Sequence, residues 1–256
     1  MRILVTNDDG INADGLEALE RIAKKLSKDV WVVAPEQEQS GAGHSLTLHV
    51  PVRVRKIAAK RFAVSGTPTD CVLLALKQIM GKAPDLVLSG INRGSNVGDD
   101  VTYSGTIAAA MEATLLGVPA IALSQLYEDR EEVPYTTAEH FSPALIKQLV
   151  AANWAEQTLI NINFPKCPRT KVKGIRVCPQ GKRLVNVALS ERVDPKGRPY
   201  FWLGGARDDR SDRAGVDVEL LGKGYVTVTP LRMDLTDYES MEVIRQAVTG
   251  RKTRAS

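Results

Sequence analysis

Residues 1–10 read MRILVTNDDG, a short apolar run, Ile3-Leu4-Val5, that passes through Thr6 straight into Asn7, Asp8, Asp9 and Gly10. Arg2 to Thr6 is predicted to be a short buried strand. Beyond the acidic pair, Asp14 to Lys28 carries Leu16, Leu19, Ile22, Ala23 and Leu26 at helical spacing, so the chain opens with a β-loop-α unit. In a parallel α/β sheet, ligands bind at the carboxyl ends of the strands, and that is where Asp8 and Asp9 stand. Successive side chains of a straight strand point to opposite faces, so both carboxylates converge on one point only if the backbone has turned, which Gly10 makes easy. Held close together they repel, and one takes up a proton unless a cation lies between them. Hard oxygen ligands without His or Cys nearby favour Mg²⁺ or Mn²⁺. From the Asp-Asp pair alone, capping of the following helix is an equal reading.

Outward from this unit the alternation continues. Val30 to Ala34 is a second apolar run closed by Pro35. Leu46, Leu48, Val50, Val52 and Val54 alternate with other residues as a half-buried strand would, and Pro51 suggests a sheet edge. Thr67-Pro68-Thr69-Asp70 supplies a capping hydroxyl, a first-turn proline and an acid three past the cap, so a helix starts at Pro68 and Asp70 is assigned to its cap. Asp85 to Ser89 is a buried strand, Gly105 to Leu116 an alanine-rich helix stopped by Gly117, and Val118 to Ser124 another strand. This order predicts an α/β fold with a mainly parallel sheet covered by helices on both faces. Further on, Ala138 to Asn153 is expected to be a helix and Thr158 to Asn163 a strand. Leu184 to Arg192 and Arg198 to Leu203 flank the turn Asp194-Pro195-Lys196-Gly197, which predicts a projecting hairpin. Tyr225 to Leu231 alternates as a strand, and Thr236 is expected to cap a final helix ending near Gly250. Two strands alone are marginal in water, so the hairpin should pack against another subunit, giving at least a dimer.

Composition narrows the class. The 256 residues are 43% hydrophobic and 25% charged, which matches a soluble globular protein rather than a disordered or membrane one. Lys and Arg number 34 against 30 Asp and Glu, a net charge of +4 without concentration except in the tail Arg251, Lys252 and Arg254. That tail is expected to be solvated rather than to serve as a nucleic-acid arm. Cys71, Cys167 and Cys178 form no CxxC pair, and no basic region followed by a long apolar run opens the chain. A reducing cytoplasm and no membrane association are the expectation.

Other predicted strand ends favour function over capping at Asp8 and Asp9. The second strand runs into the polar loop Glu36 to Ser45. The strand ending at Ser89 delivers Gly90-Ile91-Asn92-Arg93-Gly94-Ser95-Asn96-Val97-Gly98-Asp99-Asp100, and Tyr103-Ser104-Gly105-Thr106 follows at a helix start. Backbone N–H groups there, with small hydroxyl residues and glycine, make a phosphate cradle, and Ser104, Gly105 and Thr106 fit it. One glycine loop is a weak signal, but several converging on one sheet edge are a strong one.

These segments together resemble the SurE family of survival-protein nucleotidases. The match consists of NDDG after the first strand, APxxxxSG after the second, GTPTDCV, SGIN followed by GxN, YSGT, and GYVTVTPL near the end, in order and at the expected spacing. The resemblance implies a Rossmann-like single domain over residues 1–256, with a core over about 1–170, a protruding hairpin over about 180–210 and a C-terminal helical arm over about 234–256. It implies a metal-dependent phosphatase acting on nucleoside 5′- and 3′-monophosphates, in some members also on short polyphosphate. It also implies a dimer or tetramer in which the hairpin and the C-terminal arm cross between subunits. By motif, the ligands of one Mg²⁺ or Mn²⁺ per subunit are Asp8, Asp9, Ser40 and Asn92, and Asn96, Ser104, Gly105 and Thr106 hold phosphate.

Two carboxylates and two neutral oxygens leave a divalent ion roughly neutral, with positions open for water and phosphate. The expected reaction is in-line attack by water, with Asp8 orienting or deprotonating it and Asn96, Ser104 and Thr106 stabilising the phosphoryl oxygens. A covalent aspartyl-phosphate is an open alternative, and a non-catalytic nucleotide sensor is the alternative function. A dinucleotide-dependent oxidoreductase would need GxGxxG where NDDG stands. His44 is a minor candidate for leaving-group protonation. Arg93 and Arg183 are read as surface arginines, and Asp99 and Asp100 as loop-capping acids. Tyr103, Phe201 and Trp202 are open between base stacking and packing.

Overall fold

The computed structural model describes residues 1–127, 135–185, 188–204, 207–208, 211 and 213–249. Ile3, Leu4 and Val5 are fully buried in β1 (Arg2–Thr6), because helices cover both faces of the sheet at this strand. α1 (Asp14–Leu26) follows and presents Leu16, Leu19, Ile22 and Ala23 to the core, as their spacing predicts. β2 (Asp29–Pro35) then lies parallel to β1.

The next segment departs from expectation. Leu46 to Val52 forms no strand, and Leu46, Leu48 and Val50 are exposed; the edge strand begins only at Val54, as β3 (Val54–Ala58). Pro51 offers no N–H to a ladder. The segment is instead tied by its neighbours: Thr67 donates its hydroxyl to the Ser45 carbonyl at 2.8 Å, and the Thr47 N–H reaches Asp70 Oδ1 at 3.2 Å. β3 runs antiparallel to β4 (Arg61–Val64), a short strand with no strong sequence signal. α2 (Pro68–Leu74) begins where expected, with Thr67 and Asp70 forming a reciprocal capping box, and widens into a π turn over Ala75–Ile79.

β5 (Leu86–Arg93) continues four residues past the predicted strand, through Gly90, Ile91 and Asn92, with a cis Gly90–Ile91 peptide and an irregular register against β6 (Ala120–Gln125). Between them lie a 3₁₀ turn, Gly98–Thr102, and α3 (Gly105–Leu115). α4 (Tyr135–Ala152) starts earlier than predicted, carries Pro143 inside, and leads to β7 (Thr158–Phe164).

The sheet does not end at residue 170. β8 (Ile175–Val177) and a strand from beyond the hairpin, β13 (Val226–Arg232), join it, giving nine strands in the order β3-β4-β2-β1-β5-β6-β7-β13-β8. The hairpin strands are β10 (Ala188–Val193) and β11 (Pro199–Gly204), flanked by a small ladder of β9 (Leu184–Val185) with β12 (Arg207–Asp208). The expected first hairpin strand, Leu184 to Arg192, is therefore divided between two ladders. α5 (Asp217–Gly222), which sequence periodicity missed, precedes β13 (Val226–Arg232), antiparallel to β7. α6 (Tyr238–Thr249) buries nothing in the subunit, and its first turn is capped by Asp237, whose Oδ1 accepts from Glu239 and Ser240 N–H groups, rather than by Thr236. Gly250 and the basic tail lie outside the described residues.

Two cores sandwich the sheet. α1 and α4 cover one face with Leu16, Leu19, Ile22, Leu145 and Ile146, and α2 and α3 cover the other with Cys71, Val72, Ile107, Ala109 and Ala113. β1 stands between β2 and β5, and the chain winds first to one side of it and then to the other. The topological switch point therefore falls between β1 and β5, where open α/β sheets leave a crevice for ligand.

Candidate active site

Beyond Thr6 the chain turns at Gly10 (φ +102°), and the Asn7 Nδ2 donates to the Gly10 carbonyl at 3.0 Å. Across the crevice, the end of β5 supplies Asn92 and Arg93. A cleft of about 160 Å³ opens between them, lined by Asp8, Ser40, Asn92, Arg93, Asn96 and Ser104, with Gly41, Asp100 and Tyr103 at its rim. Five of the eight sequence-derived site residues thus meet on one surface. Asp9, Gly105 and Thr106 lie just behind it.

Asp8 is 4% exposed and is fixed by α3. The Thr106 hydroxyl donates to Asp8 Oδ1, so this threonine is directed at the carboxylate and not into the cleft. Gly105 packs directly on Asp8: a Cβ there would lie 2.7 Å from the Asp8 Cβ and 3.0 Å from its Oδ2. The helix start can approach the carboxylate this closely only because residue 105 has no side chain. Burial raises the Asp8 pKa, against the Thr106 hydrogen bond. Asp9 is pushed up to about 7 by burial and then by the Asp8 charge, although its Oδ2 accepts the Arg93 N–H at 3.2 Å. The pair is thus arranged where two negative charges are costly without a positive partner.

The remaining donors suit such a partner. Ser40 gives its hydroxyl proton to Glu38 Oε1 at 2.7 Å, which leaves its oxygen lone pairs free, and the Gln39 N–H donates to the Asp8 carbonyl at 2.8 Å, anchoring this loop beside the acids. Asn92 uses its Nδ2 on the Gly94 carbonyl at 2.9 Å, which leaves Oδ1 as the atom that could ligate a cation. Among the described residues no group of three or more His, Cys, Asp or Glu could hold a metal. Two carboxylates with a hydroxyl and an amide oxygen fit Mg²⁺ or Mn²⁺ and not a zinc centre.

Opposite these oxygens stands the candidate phosphate side. Ser104 caps α3, its Oγ accepting the Ile107 N–H at 3.1 Å. Asn96 is held by residues that the sequence reading passed over. Its N–H donates to Asn163 Oδ1 at 2.8 Å, its carbonyl accepts from Asn161 and Asn163, and its Nδ2 donates to Ser124 Oγ at 2.8 Å. The available signal was Asn161-Ile162-Asn163 inside a strand buried at every position, where an amide persists only with partners.

The lesser candidates sort differently. Arg183 is buried, contrary to the surface reading: its guanidinium pairs with Asp100, and its N–H donates to Asp99 Oδ2 at 3.1 Å. Asp99 and Asp100 thus tie the 3₁₀ turn to the base of the hairpin. Asp217 adds a second tie, accepting the Gly98 N–H at 3.0 Å and the Gly181 N–H at 2.7 Å. His44 does not line the cleft and meets Glu112. Arg93 does line it, with its guanidinium 4.9 Å from the centre of the Tyr127 ring. Tyr103 stands exposed at the cleft rim, whereas Phe201 and Trp202 are exposed on the hairpin.

Fold and cleft together define a Rossmann-like α/β protein whose sheet switch point carries an oxygen-rich cleft facing a helix N-terminus. The sequence model of Survival protein SurE matches residues 3–187, and the chain belongs to this family. It is 54% identical over 248 residues to the 5′-nucleotidase SurE of Paramagnetospirillum magneticum, covering 96% of this chain and 95% of that one. It is 56% identical over 242 residues to the 5′-nucleotidase SurE of Brucella canis, covering 93% and 95%. Among solved structures, the SurE protein from Aquifex aeolicus superposes with a TM-score of 0.84 at 39% identity, over 97% of this chain and 100% of that one.

Proposed function

We propose that this protein is a metal-dependent 5′-nucleotidase, hydrolysing nucleoside 5′-monophosphates, and 3′-monophosphates as a second class, to nucleoside and phosphate. The observation that carries this reading is the meeting of Asp8, Ser40 and Asn92 with Asn96 and the Ser104 cap of α3 in one small cleft at the switch point. A volume of about 160 Å³ suits a phosphoryl group and an ion and leaves the nucleoside outside, over Tyr103 and Arg93. Asp8, Asp9, Ser40 Oγ and Asn92 Oδ1 would hold one Mg²⁺ or Mn²⁺, which supplies Lewis acidity toward the phosphoryl oxygens when bound. Asp8, with Oδ1 occupied by Thr106, offers Oδ2 to orient or deprotonate the attacking water. The second N–H of the Asn96 amide, the Ser104 hydroxyl and the first N–H groups of α3 take the equatorial oxygens, donors set in place before charge develops.

The exposed apolar faces of β10, β11 and α6 support assembly into a dimer or tetramer through these C-terminal elements. Three free cysteines favour a reducing compartment such as the cytoplasm. No helix among the described residues is long and apolar enough to cross a membrane. Phosphate release from AMP by EDTA-stripped protein, before and after Mn²⁺ is added back, tests the reading: metal-stimulated release is expected. Intact AMP binding without release would instead indicate a nucleotide sensor. In single-turnover hydrolysis in ¹⁸O-water, label should enter phosphate and not the Asp8 carboxylate.

A further inference from the structure

We infer that His44 and Glu112 form a latch that positions the Ser40 loop against α3, and so sets how tightly the site holds its divalent cation; this rests on the reading of Ser40 as a ligand. His44 Nε2 lies 3.0 Å from Glu112 Oε2, with the two side chains 29% and 12% exposed. A carboxylate only accepts, so Nε2 carries the shared proton.

The placement of the pair gives it leverage. Glu112 follows Gly105 by seven residues, two helical turns, and so lies on the stripe of α3 whose first member packs on Asp8. The loop leaves the Asp8 carbonyl at Gln39, lines the cleft through Ser40 and Gly41, and passes the Thr102 carbonyl at Gly43, where a Cβ would stand 3.8 Å from that oxygen. It then reaches Glu112 through His44. Between its two anchored ends stand Gly41 (φ +76°) and Gly43 (φ +55°), and a Cβ at Gly41 would meet nothing within 4 Å. A ligand carried on glycine-rich backbone loses much conformational freedom on ordering, and a distal anchor removes part of that loss before the cation arrives. The ties just beyond the latch, Thr67 to the Ser45 carbonyl and the Thr47 N–H to Asp70, hold the loop to α2 and leave its seat on α3 to His44. The latch thus fixes Ser40 relative to Asp8 and the phosphate cradle, and His44 is a positioning residue, not a proton donor to the leaving group.

The test is Mn²⁺ binding to EDTA-stripped protein by titration calorimetry, for wild type, His44→Ala, Glu112→Ala, their double variant, His44→Gln and Ser40→Ala. Each single latch variant is expected to weaken Mn²⁺ binding roughly 3- to 10-fold, with the double variant no weaker than either, as for partners in one interaction. His44→Gln, which keeps an N–H for Glu112, should recover most of the loss, and the KM for AMP should rise more than kcat falls. Far-UV circular dichroism and thermal midpoints near wild type show that the variants fold. Wild-type affinity in both single latch variants, or multiplicative losses in the double, overturns the latch. If Ser40→Ala weakens Mn²⁺ binding in that case, the ligand reading stands without it. Unchanged affinity in Ser40→Ala overturns the ligand assignment and the latch together.

Discussion

Asp8 answers to three neighbours at once: Thr106 holds one oxygen, Gly105 packs on its β-carbon, and Asp9 competes with it for any positive charge. Its burial makes the carboxylate unfavourable in the metal-free fold, so Asp8→Asn should abolish turnover, by about 10³-fold or more, while leaving cooperative unfolding intact and the thermal midpoint unchanged or raised. Loss of the cooperative transition would mean that the residue is structural. Asp9 carries the pH dependence. Its pKa stands at about 7 against about 4 for an unfolded chain, so its contribution to stability is present below about pH 4 and is lost as the pH rises to about 7. The metal-free protein should therefore weaken toward neutral pH, and Mn²⁺ should stabilise it most there. On the proposed ligand set, binding displaces the Asp9 proton, so apparent Mn²⁺ affinity should fall by about tenfold per pH unit below 7. Calorimetry in two buffers of different ionisation enthalpy measures the proton released. That Asp8 and Asp9 stand at the end of a buried strand was legible from two adjacent acids after an apolar run. That Thr106 stands at a helix start was legible, but its attachment to Asp8 was not, because it spans 98 residues of sequence.

At the level of elements, α3 carries the site's geometry. Its run Ile107-Ala108-Ala109-Ala110 has no polar face because the helix is buried against the sheet and α2, and the small side chains let it approach closely. Alanine is the better helix former by up to about 1 kcal/mol, yet Gly105→Ala should be harmful, since its methyl would enter the space of the Asp8 side chain. We expect kcat/KM to fall by about 10-fold or more together with the thermal midpoint; a gain in stability with full activity would show that the close packing is not needed. Where residue types matched a local rule, the elements were legible: the Thr67–Asp70 cap, the periodic face of α1 and the apolar run of β1 all act within a few residues. The alternating segment Leu46 to Val52 obeyed the strand rule and formed none, because alternation specifies a surface to cover and no neighbouring strand is there to cover it. The short elements β4, β8 and α5 lacked a periodic pattern and exist through their neighbours.

At the scale of the molecule, the hairpin and α6 stand apart from the two cores that enclose the sheet. Leu189, Val193, Phe201 and Trp202 on the hairpin, and Val243, Ile244 and Val248 on α6, leave apolar surface open in the single subunit. Trp202→Glu combined with Val243→Glu should lower the assembled mass seen by light scattering while the subunit still folds, since neither side chain is part of a core. An unchanged mass would place the interface elsewhere. Arg183 links this outer region to the cleft through Asp100, a tie no local pattern announces because 83 residues separate the partners.

The sequence by itself determined the α/β class, the strand end that carries the acids and the residues placed around them, since strand periodicity, caps and carboxylate chemistry are properties of neighbouring residues. Only the tertiary structure decided that Thr106 serves Asp8, that Asn161 and Asn163 hold Asn96, and that Arg183 is buried on Asp100. These depend on which strands become neighbours and how closely a helix can pack on them, and that is fixed by the packing of the whole sheet.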